Sequence, residues 1–225
     1  MVLREMMVGA QLVAILFALL VFIVNAALAM LLARFYIKGK SMSSLIWSSG
    51  MRMFAIAVLV ELLFAFGVYS EFLAKVYLLA IAMPLLAFSI GHMQFVRSRK
   101  AKRAYYYYCI ALVSILLYVL YTANIWGIFN GYEIYGALPL PVMAVSLFIA
   151  VSSLAVISFV SVRNYVARRR AKVLAIIPGA ILFLAVDILH FAALPPLFLY
   201  YCQLLGIALV WVGFVGFAGV KEYKL

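Results

Sequence analysis

Pro178-Gly-Ala-Ile-Leu-Phe-Leu-Ala-Val-Asp187-Ile-Leu-His190-Phe-Ala-Ala-Leu-Pro195-Pro196 reads as one apolar helix closed by a Pro-Pro break. It carries the chain's sole aspartate and, three residues later, one of its two histidines. A segment of this apolarity suits hydrocarbon, where an ionisable pair is expensive to place. Such a pair is therefore a functional-site candidate by default. A further apolar run begins directly after the prolines.

Working outward, the same texture fills the chain. Seventy per cent of its 225 residues are hydrophobic and 11% are charged, which excludes an ordinary soluble domain. A membrane span takes ~20 residues, so this length holds seven hairpin-connected helices and no soluble catalytic or signalling domain. Seven apolar runs can be marked, at roughly 9–33, 44–69, 72–96, 105–129, 138–162, 172–193 and 196–220. Continuous runs favour helices over barrel strands, which alternate every second residue over ~10 residues. The first run is too long for a secretory leader and ends in charges, so it reads as a retained span. The expected fold is an all-α integral membrane protein, one seven-helix transmembrane domain over residues 1–225.

Charge placement gives an orientation. The connectors after the first, third and fifth runs carry Arg34, Lys38 and Lys40; Arg97, Arg99, Lys100, Lys102 and Arg103; and Arg163, Arg168, Arg169, Arg170 and Lys172. Lys221 and Lys224 extend that side, whereas Arg4 and Lys75 face it with Glu5, Glu71 and Glu133. By the positive-inside rule the amino terminus is outside and the carboxyl terminus cytoplasmic, in a multi-pass plasma-membrane protein. The net charge of +12 then belongs to topology and to anionic lipid headgroups rather than nucleic acid. The run Tyr105–Tyr108 belongs to an interfacial aromatic belt.

Glu61, Asn124 and Asp187 recur at a spacing of 63 residues, each in the outer part of an even-numbered helix. Either the chain is one helix plus three repeated hairpins, or the regular length of membrane hairpins gives the same interval. This depth assembles the candidate site. Glu61, Asn124, Asp187, His190, Thr122 and Gln203 lie in the extracellular half, where they could line an outward-facing polar pocket. Asp187 and His190 share one helix face. The bland alternative is hydrogen-bonded helix glue, which suits Asn124, Thr122 and Gln203 better than the two acids.

His92 and Cys109 fall at the opposite depth from His190 and Cys202, which disfavours a shared haem and an intramolecular disulfide. Arg52 can snorkel to the inner headgroups. Gly213, Gly216 and Gly219 form a ridge for close helix packing, and Pro84 and Pro178 are expected to kink their helices.

Two seven-helix families do not fit. The last helix has no lysine for a retinal Schiff base, and Gln94-Phe-Val-Arg97 lacks the acidic residue that receptors of the G-protein-coupled type place before the arginine. The chain instead resembles the seven-transmembrane sensor region found ahead of prokaryotic histidine kinases and diguanylate cyclases. The residues that carry the resemblance are Glu61 followed by Tyr69-Ser-Glu71 and Lys75, then Thr122-Ala-Asn124, then Arg168-Arg-Arg leading to Pro178 and Asp187. The family tends to have asparagine at the position of Asp187, and a histidine after the helix-four asparagine is missing here. No output domain follows Lys224, so the resemblance implies a free-standing module signalling to a separate partner.

The leading expectation is a sensor or receptor-like module that binds a small, cationic or hydrogen-bonding ligand in the outward pocket. The alternative is a small proton- or cation-coupled transporter or channel using Glu61 and Asp187. No metal-ligand cluster, phosphate loop or Ser-His pair at matching depth is present, so no enzyme, cofactor or metal is expected.

Overall fold

The computed structural model of the chain describes residues 2–125, 129–130, 133–134, 139–191 and 196–217, with side chains at 12–13, 15–125, 139–185 and 198–217. Among them the helices are α1 (Val2–Gly39), α2 (Met42–Ala65), α3 (Glu71–Met93), α4 (Arg99–Thr122), α5 (Leu140–Arg168), α6 (Ile176–Phe191) and α7 (Pro196–Phe217). A 3-10 turn, Ala171–Ala175, leads into α6. A minimal ladder between α4 and α5 pairs Phe129 with Ile134 and Asn130 with Glu133.

Local chemistry sets the helix ends. Ser41, Ser70 and Ser98 cap α2, α3 and α4 by accepting the amides of Ser44, Leu73 and Ala101. Gly67, at φ +82°, ends α2 in the left-handed region that a side chain resists. Pro84 is held inside α3, whereas Pro178 is the third residue of α6, where no amide partner is lost. The expected kink at Pro178 is therefore a helix start.

Among the described residues six helices are long and apolar enough to cross a membrane, which makes this a multi-pass membrane protein. The expected sixth run, 172–193, differs because its first turn winds as 3-10 and α6 itself has only 16 residues. Helix α4 begins at Arg99 instead of residue 105 and stops at Thr122, short of the expected 129.

Helices α1, α2 and α3 pack as consecutive neighbours, as do α6 and α7, while α4 meets α5 sparingly. The α4–α5 pair is thus not the close hairpin that a three-fold repeat would require. One apolar cluster joins α1, α2, α3, α5, α6 and α7, and a second joins α2, α3, α4 and α5. Trp47 on α2 meets His92 of α3, Phe95 just beyond it, and Phe214 and Phe217 of α7. Phe35 stacks near Trp211, and Gly216 abuts Lys172 and Val173. These contacts gather the three basic connectors at one end of the bundle, called here the basic end.

Candidate functional site

The α2–α3 pair keeps one antiparallel register along its length. Trp47 Nε1 donates to the Phe88 carbonyl at 3.2 Å, and Gly50 faces Ala87. Carried to the end away from the basic connectors, the same register sets Tyr77 opposite Glu61. The Tyr77 hydroxyl donates to Glu61 Oε1 at 2.8 Å. Tyr77 is buried and Glu61 half-buried, so a hydrogen bond in low dielectric holds the carboxyl in place. Replacing Tyr77 with phenylalanine should cost about 1–3 kcal/mol in detergent-based unfolding, since the Glu61 carboxyl loses the hydroxyl that donates to its Oε1.

The α6–α7 pair is equally regular. Ile176 faces Gly213, Gly179 faces Val210, and Phe183 faces Gly206. One further turn brings Gln203 level with Val186, the neighbour of Asp187. Gln203 is 1% exposed, yet among the described residues neither its Nε2 nor its Oε1 has a hydrogen-bond partner. A buried carboxamide without partners is costly and asks for an explanation. The side chains of Asp187 and His190 lie outside the described residues.

Helix ends separate the remaining candidates. Thr122, the last residue of α4, is exposed and its hydroxyl donates back to the carbonyls of Tyr118 and Val119. Asn124, expected within the fourth helix, is exposed and lies beyond its end. No family model matches this chain, nor does any curated protein or solved structure. Its own geometry therefore carries the reading.

A second polar system, largely missed from sequence, fills the basic end. Asn25 Nδ2 donates to the Met51 carbonyl at 2.8 Å and Ser48 Oγ to the Ala29 carbonyl at 2.8 Å, joining α1 to α2. His92 Nδ1 lies 2.7 Å from the Phe88 carbonyl. The Tyr105 hydroxyl donates to Ser89 Oγ at 2.7 Å, and Gln94 donates to Tyr106. Lys102, read as a connector charge, is fully buried on α4 and donates to the Gln94 carbonyl at 3.2 Å. Tyr105 and Tyr106 thus tie α4 to α3 in addition to any belt role. The sequence signal was Ser98, whose capping side chain starts α4 before the basic residues and so turns Lys102 inward.

Among the described residues, no cluster of three or more His, Cys, Asp or Glu could hold a metal. Cys109 and Cys202 are free.

Proposed function

We propose that this chain is a seven-span plasma-membrane sensor, receptor-like, with its amino terminus outside and its basic end in the cytoplasm. A small hydrogen-bonding or cationic ligand binds in the outer half, and a separate partner reads the basic end. The observation that carries this reading is Gln203, a buried amide whose donor and acceptor are both unused among the described residues. It lies on a tightly packed helix pair at the level of Asp187. The Glu61–Tyr77 pair adds a pre-oriented carboxyl in the same half. The resemblance to prokaryotic sensor regions points the same way.

The transporter reading draws on the same acids but needs a path through the basic half. There, Asn25, Ser48 and Trp47 all donate to backbone carbonyls of a neighbouring helix. Those bonds favour a sensor over a conduit.

The test compares ligand-induced thermal shifts of wild-type and Gln203→Leu protein across small amines and polyols. Gln203→Leu should unfold later, by about 1–3 kcal/mol, because an unsatisfied buried amide is removed. It should also lose the shift that a hit gives in the wild type. Retention of that shift in both Gln203→Leu and Glu61→Gln would sink the proposal. Proton or cation flux in liposomes that Glu61→Gln abolishes would establish the transporter instead.

A further inference from the structure

Between α2, α3 and α4 runs a groove of about 690 Å³, within the range of ~300–1,000 Å³ that small-molecule sites occupy. Helices α2 and α4 scarcely touch, so α3 forms its floor through Leu86, Ala87 and Ile90. The lining is apolar apart from the hydroxyl-bearing Ser49, Ser114 and Tyr106, the thiol of Cys109, and one charge, Arg52. Arg52 lies ten residues into a spanning helix, about 15 Å along its axis from the start. It is exposed, and among the described residues no carboxylate pairs with it. A guanidinium cannot discharge, so an anion brought to this face would find an unpaired cation waiting.

We propose that this groove is a binding site for one anionic phospholipid, its phosphate on Arg52 and an acyl chain along α3. Ser49 is one turn nearer the basic end on the same α2 face and adds a hydroxyl to the headgroup site. Arg103 stands one turn before Tyr106 on α4, and Arg97, Arg99 and Lys100 are exposed where that helix begins, so the basic end of α4 leads toward the groove. That excess selects a net-negative headgroup over a zwitterionic one, because each basic residue adds attraction near the surface. The planar guanidinium fork matches phosphate oxygens in a bidentate way that a lysine would not. The site lies on the basic-end side of α2, nine residues before Glu61, and stands independently of the sensor reading.

Delipidated protein in detergent would be titrated with phosphatidylglycerol, phosphatidylcholine and inorganic phosphate, with bound lipid counted by native mass spectrometry. The wild type should hold one phosphatidylglycerol about tenfold more tightly than phosphatidylcholine. Arg52→Gln should erase that preference. Val113→Trp, which fills the groove and leaves the guanidinium intact, should weaken both lipids while circular dichroism reports an unchanged helix content. Equal binding of the two lipids, protection by inorganic phosphate alone, or wild-type phosphatidylglycerol binding in either variant overturns the proposal. If Arg52→Gln does not fold, the Val113→Trp result decides by itself.

Discussion

Gly213→Ala should destabilise the fold by about 2–3 kcal/mol, while Gly206→Ala on the same helix should be neutral or stabilising by up to ~1 kcal/mol. Both substitutions add one methyl group to α7, so chemistry and helix propensity are held constant. Surroundings differ. A Cβ at Gly213 would stand 2.6 Å from Ile176 Cβ, 2.9 Å from its backbone nitrogen and 3.0 Å from its Cα. Two of those atoms are backbone, at the point where the 3-10 turn hands over to α6, and no rotamer change can clear them. At Gly206 the nearest atom is Leu182 Cβ at 3.4 Å, an ordinary contact. In a membrane the lipid is as apolar as the side chains, so helix association rests on close packing and hydrogen bonds. Pushing α6 from α7 therefore loses dispersion contacts along the whole seam. Parallel unfolding titrations of the two variants in mixed micelles give the sign directly. Equal midpoints would mean that the pair does not pack as tightly as the glycine contacts imply.

The sequence made the helices legible because runs of some 20 apolar residues have few other solutions in a membrane. Arg52 also stood out as an inner-half charge able to snorkel to the headgroups, and the structure gives it a groove. Partners were harder to read. Tyr77 reaches Glu61 because α2 and α3 hold one register, and register depends on Gly50 and Gly91 admitting Ala87 and Trp47. Such contacts have no pattern in a single helix. The α7 ridge was visible in Gly213 and Gly216, although Gly219 lies outside the described residues and Gly206 joins the seam instead. Lys102 and Asn124 were misplaced for one reason: hydropathy locates the middle of a span but not its caps. Ser98 starts α4 early and Thr122 ends it early, which buries a lysine and leaves Asn124 beyond the helix.

Trp47→Ala should be the costliest single truncation of the basic end, about 3–5 kcal/mol, and Trp47→Phe should cost only about 1–2 kcal/mol. The indole is 2% exposed and stacks on Phe214 with ring centroids 4.3 Å apart and planes at 15°. His92, Phe95 and Phe217 surround it at 5.3, 5.9 and 5.7 Å. Its ring also occupies the space that Gly91 leaves open on α3, so truncation creates a void bounded by three rigid helices. Phenylalanine keeps most of the stacking and loses the bond to the Phe88 carbonyl. That carbonyl retains His92 Nδ1 at 2.7 Å, so the loss leaves no orphan acceptor. A double-mutant cycle with Phe214→Ala separates the pair from the void, and a coupling of about 1 kcal/mol is expected for stacked rings. A Trp47→Ala cost under about 1 kcal/mol would remove the aromatic knot as the element that ties α2, α3 and α7 together. On the sensor reading the knot has a further consequence. Gln203 and Phe214 ride on one helix, so a ligand that displaces α7 at Gln203 displaces Phe214 as well. Trp47 would pass that movement to the starts of α2 and the end of α3, where the basic connectors lie. Ligand binding that quenches or shifts Trp47 fluorescence in the wild type, but not in Gln203→Leu, is the expected signature of that coupling.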